Sequence, residues 1–260
     1  MRDTVLEEMR RGVLLLTLNR PKQKNAFNHR MWCDLRDALA DALENDDVRA
    51  VVITGAEGAF SAGQDLGEMG SRESDAPREH GFASFLDQLC SFDKPLLAAV
   101  NGVGVGIGLT LLLHCDIVYI AEGARLRPPF VTLGVVPEAA SSYLLPLAIG
   151  HQRAAEAFFT AEWIDAKQAV ELGIASRLCI PEELLVSIRD LAERIAKQPL
   201  GSLRHTKRLM LAHREAGVRL ARQGEDAAFA ERVGSPENVE AIKAFFEKRP
   251  PDFSGIRSSS

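Results

Sequence analysis

The chain has 260 residues, enough for one large α/β domain or for a domain with a smaller appendage. Its 46% hydrophobic and 26% charged residues exclude extended disorder and a fibrous chain. Its 36 acids against 31 bases, with no long basic run, exclude the electrostatic footprint of a nucleic-acid binder. Cys33, Cys90, Cys115 and Cys179 lie far apart with no CxxC pair, and the opening MRDTVLEEMRRG mixes charges without an apolar stretch. Both features read as reduced thiols and cytoplasmic residence. Leu96 to Leu113 carries no charge over 18 residues, the lower limit of a membrane span. Gly102, Gly104, Gly106 and Gly108 with Asn101 break it, so the expectation is a buried strand, a glycine turn and a buried helix, with no membrane span.

In chain order, Val13–Leu18 reads as a buried strand ended by Asn19, Arg20 and Pro21. A helix follows from Met31 to Leu43, with Leu35, Ala38, Leu39, Ala42 and Leu43 on the inner face and Asp34, Arg36, Asp37 and Asp41 pointing elsewhere. Ala50–Thr54 is a second strand, Phe85–Leu89 a helix, Leu96–Val100 a strand, the stretch after Gly106 a helix and Asp116–Ala121 a strand. This alternation predicts the α/β class. Beyond Pro137 helical patterns dominate, at Ala139–Ile149, Asp165–Leu172 and Pro181–Gln198. Ser202–His213, Arg219–Val233 and Pro236–Lys248 predict three more helices, the last capped by Ser235 with Pro236 at its first position. The expected division is residues 1–198 as core and 199–260 as a helical appendage, with a frayed tail after Pro250.

Three constellations carry chemical potential. Gly58 to Leu66, directly after a strand, is a loop of small residues that can aim backbone amides at an oxygen gaining negative charge, or is simply a turn. It spells neither GxSxG nor a P-loop, because Ala59 replaces the first glycine and no GK[ST] follows. Asn101 to Gly108 lacks the spacing of a dinucleotide loop, since Ile107 and Leu109 stand where the last glycine would be. What remains is a tight turn into a helix amino terminus, whose free N–H groups favour an anion. Two amides from two such loops would form an oxyanion hole.

The third is Glu138, alone among apolar and small residues in LGVVPEAASS, with no base at helical spacing. It is either a general base whose pKa burial raises or a first-turn acid facing a helix dipole. His114, Cys115 and Asp116 are consecutive and point apart, so no metal site is expected, and Asp116 reads as structural. Glu57 and Glu68 read as solvated loop charges.

The segments NRPKQKNAF, AFSAGQDL, KPLLAAVNGVGVGIGL, CDIVYIAEGARL and PFVTLGVVPEAASSYLLP, in this order over positions 12 to 250, resemble the crotonase (enoyl-CoA hydratase/isomerase) superfamily. The resemblance implies a crotonase-like spiral of ββα turns with a C-terminal helical region, assembled as a homotrimer or a dimer of trimers. It implies an acyl-CoA thioester substrate and no separate cofactor, the CoA being part of the substrate. It places oxyanion amides at Ala62 and Ile107, and Lys24, Ala26, Phe27, Gln64, Asp65 and Leu66 along the CoA, with Lys248 toward its phosphates. The two glutamates of family hydratases are replaced here by Thr110 and Phe130, neither of which is a base near neutral pH. VGIGLTLLL, PPFVTLG and VPEAASS resemble the peroxisomal-type 3,2-enoyl-CoA isomerase branch, whose single glutamate matches Glu138. Fatty acid metabolism is the setting that this branch implies.

One carboxylate is enough to move a double bond from C3 to C2, with each oxyanion amide contributing roughly 3 to 4 kcal/mol. Phe130, Val131 and Leu133 would line the acyl pocket, residues 67–90 would form a lid, and the long cation of Arg127 would alter the pocket. A hydratase-like enzyme acting on another acyl-CoA and a non-catalytic acyl-CoA-binding protein are the competing readings.

Overall fold

A computed structural model describes residues 2–69 and 81–256. The elements run β1 (Val5–Arg10), β2 (Val13–Leu18), α1 (His29–Glu44), β3 (Ala50–Gly55), β4 (Ala59–Ser61), α2 (Leu66–Met69), α3 (Gly81–Ser91), β5 (Leu96–Val100), β6 (Val103–Val105), α4 (Ile107–Thr110), β7 (Ile117–Ala121) and β8 (Arg125–Arg127). They continue with α5 (Ser141–Ile149), α6 (His151–Thr160), β9 (Ile164–Asp165), α7 (Ala166–Glu171), β10 (Arg177–Cys179), α8 (Pro181–Ala196), α9 (Leu200–Ala212), α10 (Glu215–Arg232) and α11 (Pro236–Phe246).

Two sheets stand side by side. The larger has the order β1-β2-β3-β5-β7-β10 and is parallel except for the β1–β2 hairpin; the smaller has the order β4-β6-β8-β9, antiparallel only at β8–β9. The chain passes from the larger sheet to the smaller three times, at β3 to β4, β5 to β6 and β7 to β8, returning between them, which is the spiral of ββα turns. Every residue of β3 and β5 is buried, as expected of parallel strands covered on both faces. Phe27, Trp32 and Phe85 form an aromatic cluster under α1 and α3, with Phe27 and Trp32 ring centroids 4.3 Å apart.

The short strands of the second sheet were not expected. β4 and β6 lie inside the two small-residue loops, where strands of three residues are too short to show period-two alternation. β1 is an edge strand with five of its six residues exposed, and its charges hid it in the sequence. The helix expected after Gly106 is a four-residue turn that continues as a 3₁₀ turn over Leu111–His114. This breaks up the uncharged stretch, and among the described residues no helix is long and apolar enough to cross a membrane. Asp34 does not point to solvent: it is buried and accepts from the Thr4 hydroxyl at 2.7 Å and from Arg30 at 2.9 Å. The tail is not simply frayed up to Ile256, since the Asp252 amide donates to Glu240 and Ile256 to the Phe253 carbonyl.

The C-terminal helices dock in an unusual way. The one buried residue of α9 is Lys207 and the one buried residue of α10 is Glu225. Lys207 Nζ donates to the Lys94 carbonyl at 2.9 Å and to Asp116 at 2.8 Å. Asp116 also accepts from the Leu96 amide, and Arg204 grips Asp93 with two bonds. Asp116 is thus structural, an anchor between β5 and α9. On α11, Ser235 caps as expected, accepting from the Asn238 amide.

Candidate active site

Three segments meet around one carboxylate. The first begins at Lys24 and Asn25, both in left-handed conformation. Asn25 holds the bend with its side chain, accepting from the Arg20 amide and donating to the Ala56 and Ala59 carbonyls. Phe27 then pairs with the 62–65 segment: its amide donates to the Gly63 carbonyl at 2.7 Å and its carbonyl accepts from the Asp65 amide at 2.9 Å.

This pairing corrects the expectation for Ala62. The Ala62 amide is already engaged, donating to the Lys24 carbonyl at 2.9 Å. The Gly63 amide donates to the Ser61 hydroxyl, and the Asp65 amide to Phe27. Gln64 is left, and because successive peptide groups of an extended segment alternate sides, its N–H points away from Phe27. Its side chain is held by the Trp32 indole, which donates to Oε1 at 3.2 Å.

The second segment is the turn from β6 into α4. Gly106 has φ 54° and ψ −118°, a region open in practice only to glycine. Its amide donates to the Arg127 carbonyl, and its carbonyl accepts from Leu109 and Thr110. Ile107 occupies the first helical position, so its N–H has no partner within the helix. A Cβ on Gly63 would lie 2.9 Å from the Val105 carbonyl oxygen, so the two loops touch and no side chain fits between them.

The third segment carries Glu138. The carboxylate lies against the second turn, with Oε1 3.9 Å from where a Cβ on Gly106 would stand. Desolvation, with a smaller contribution from the Glu225 carboxylate, pushes its pKa up to about 8, although the side chain keeps partial solvent access. Glu138 precedes α5 by three residues and is not a first-turn acid. Ala139 and Ala140 follow with φ 59° and 58°. His114 donates from Nε2 to the Ala139 carbonyl at 2.8 Å, and burial pulls this imidazole down to about 4, so it is neutral at pH 7.

Thr110 is fully buried with no partner for its hydroxyl, and Phe130 is buried against Phe158. Neither is a general base. Leu133 is partly buried, and its carbonyl accepts from the Asn238 amide group at 2.7 Å; Val131 is exposed. Gly134 lets α11 approach, since a Cβ there would lie 2.6 Å from the Asn238 nitrogen. Arg127 donates to the Ala161 carbonyl and lies 5.6 Å from the Trp163 ring, so its charge is engaged by the protein.

Other expected ligand contacts divide. Lys24 is exposed, and Asp65 is paired with Arg20 at 2.9 Å, next to Leu66 at the start of α2. The Phe27 ring is 1% exposed in the aromatic cluster, so it serves the core rather than a ligand; only its backbone takes part, by ordering the Gln64 amide. Ala26 is buried with its carbonyl taken by Arg20. Lys248 is exposed just past α11. Glu68 is not merely solvated, because it accepts from the His29 amide. Of the expected lid, residues 70–80 lie outside the described residues, while 81–91 form α3, packed down by Phe85, Leu86 and Leu89. Sequence reasoning missed the Gln64 amide, His114, Glu225 and Asn238. None of these was legible in the sequence, since the Gln64 amide is left free only by a pairing with Phe27 across 37 positions. Among the described residues no group of three or more His, Cys, Asp or Glu could hold a metal ion.

Two abutting loops beside the Glu138 carboxylate, on a two-sheet spiral, match a scaffold of the crotonase type. Residues 8–256 match the family model described as enoyl-CoA hydratase/isomerase. The chain belongs to this family of enzymes, and acyl-CoA thioesters are the substrates consistent with membership. It is 33% identical over 255 residues to the protein of Escherichia coli K12 named 2,3-dehydroadipyl-CoA hydratase, covering 98% of this chain and 100% of that one. It is 31% identical over 262 residues to 1,2-epoxyphenylacetyl-CoA isomerase of the same organism, covering 98% and 100%. The crystal structure of an enoyl-CoA hydratase/isomerase from Pseudoalteromonas atlantica T6c is similar with a TM-score of 0.92 and 36% identity, covering 96% of this chain and 100% of that one.

Proposed function

We propose that the protein is an enoyl-CoA isomerase that moves a C3 double bond to C2 of an acyl-CoA. The observation that carries this reading is the placement of Glu138 against the Gly106–Ile107 turn, while Thr110 and Phe130, by the family resemblance, fill the positions where hydratases carry glutamates. Ionised Glu138 takes a proton from C2, the electron pair delocalises into a dienolate, and the same proton returns at C4. Nothing else is consumed. Charge gathers on the thioester oxygen, and the amides of Gln64 and Ile107 stabilise it, replacing the pair Ala62 and Ile107. Each donor contributes roughly 3 to 4 kcal/mol, and positioned proton transfer about 10² to 10⁴-fold. A carboxylate raised toward 8 is a stronger base once ionised, which suits removal of a weakly acidic C–H.

The CoA is carried by the substrate, so the proposed reaction uses no other cofactor. Exposed Leu209, Met210, Leu220, Phe245 and Phe246 on α9 to α11 support the proposed homotrimer or dimer of trimers. Cytoplasmic residence remains part of this proposal.

The test is purified protein with a 3-enoyl-CoA and, separately, a trans-2-enoyl-CoA, read by conjugated thioester absorbance. Rising absorbance with the first substrate, lost in Glu138→Ala, supports the isomerase. Falling absorbance with the second means hydration, the activity printed in the name of the first E. coli relative. Silence with both, together with acyl-CoA binding, favours a non-catalytic binding protein.

A further inference from the structure

The turn that carries Glu138 is conformationally expensive. Ala139 and Ala140 are consecutive left-handed residues, and neither has a side chain that hydrogen-bonds to stabilise that shape. Ala140 is also the N-cap of α5 and offers no side-chain acceptor. The missing acceptor comes from 85 residues further along the chain: Glu225 Oε2 accepts from the Ala140 amide at 2.7 Å and Oε1 from the Ser142 amide at 2.8 Å. Glu225 is 7% exposed and is the only residue that α10 buries.

We propose that Glu225 is a positioning residue for Glu138: docked as an external cap on α5, its carboxylate locks the Ala139–Ala140 turn and keeps Glu138 against the Gly106–Ile107 turn, and its charge faces Glu138 as a like neighbour. This inference rests on Glu138 being the base of the reaction proposed above.

On balance burial raises the Glu225 pKa, and the Ser142 and Ala140 amides that bond its ionised form offset part of that rise. Among the described residues, the other ionisable groups around this turn, Asp226 apart, have partners or are neutral. His114 on the 3₁₀ turn is neutral, and burial pushes up the Cys90 thiol of α3. Arg222 pairs with Asp87, Arg214 donates to the Leu113 carbonyl, and Asp226 adjoins Glu225 on α10. Of all these, only Glu225 acts on Glu138 as a charge.

The experiment uses the full chain with Glu225→Gln, Glu225→Ala and Glu225→Asp. The Glu138 carboxyl is titrated by ¹³C NMR in glutamate-labelled protein without substrate, its signal assigned by loss in Glu138→Gln. Glu225→Gln is expected to move the midpoint to lower pH, and Glu225→Asp, which keeps the charge, to restore it toward the wild type. With a 3-enoyl-CoA, the acid limb of kcat/KM moves the same way in Glu225→Gln. In Glu225→Ala, kcat drops about 10- to 100-fold with KM little changed, as expected for a misplaced base. An unmoved midpoint in folded Glu225→Gln, or wild-type kcat in Glu225→Ala, overturns the proposal. If the wild type does not isomerise while the NMR midpoint shifts as stated, the isomerase reading fails and only the charge coupling of Glu225 to Glu138 stands.

Discussion

The two turns that face each other across the site are built on opposite principles. The Gly104–Gly108 turn is held by crowding: Cβ atoms on Gly104 and Gly108 would come within 2.7 Å of Leu126 and of the Ser61 carbonyl. Its proposed donor is a backbone N–H that every residue but proline supplies at position 107. The Glu138–Ser142 turn has no such constraint from within. His114 braces it from one side and Glu225 from α10, and its functional group is a carboxylate in surroundings that disfavour its charge. The glycine turn is therefore held by close packing against neighbouring segments, whereas the Glu138 turn is held by hydrogen bonds from His114 and Glu225 around a carboxylate whose burial lowers stability.

The largest effect that separates the two turns comes from removing the donor without disturbing the helix. Proline is accommodated at a first helical position, so Ile107→Pro deletes the N–H while keeping the helical φ, and Ile107→Val controls for the change in the buried side chain. Steady-state kinetics are expected to show kcat down about 10² to 10³-fold, with Ile107→Val close to wild type. Equal rates in both variants would take Ile107 out of the hole.

Next is the claim that crowding holds the first turn. In Gly108→Ala the new methyl meets the Ser61 carbonyl oxygen at 2.7 Å, so denaturant melts should show a loss of about 2 to 3 kcal/mol. Gly123→Ala has open space but φ +81°, and should lose only about 1 kcal/mol. A reversed order would show that conformational strain, not contact, dominates.

The smallest effect tests the stability cost at the second turn. An acid raised from 4.5 to about 8 on folding binds more protons in the folded state between those values, so stability falls as pH rises through that window. Glu138→Gln removes the penalty. Thermal melts should show the variant more stable than wild type by about 1 to 2 kcal/mol above pH 8, a figure reduced for the solvent access that Glu138 retains, and no such gain near pH 4.5. A variant less stable at high pH would mean that Glu138 is paired rather than strained.

The major sheet was legible because Val13–Leu18, Ala50–Thr54 and Leu96–Val100 are apolar runs ended by turn residues, and buried parallel strands are written that way. The C-terminal helices were legible from apolar spacing and from Ser235-Pro236. The second sheet was not, because strands as short as Ala59–Ser61 and Val103–Val105 repeat no pattern. Within the site, the lone Glu138 and the glycine turn before Ile107 could be read from residue type and spacing. The choice between Ala62 and Gln64 could not, since it depends on which amide the Lys24 and Phe27 carbonyls occupy.

By itself the sequence determined the fold class, the two loops and the isolation of the carboxylate, because glycine spacing, apolar periodicity and the absence of a nearby base are local properties. Tertiary structure decided which amides stay free and which residues bond the turn that carries Glu138. Lys24 pairs with Ala62 across 38 positions, and Glu225 reaches Ala140 across 85, and hydrogen bonds between residues that far apart leave no periodic trace in the chain.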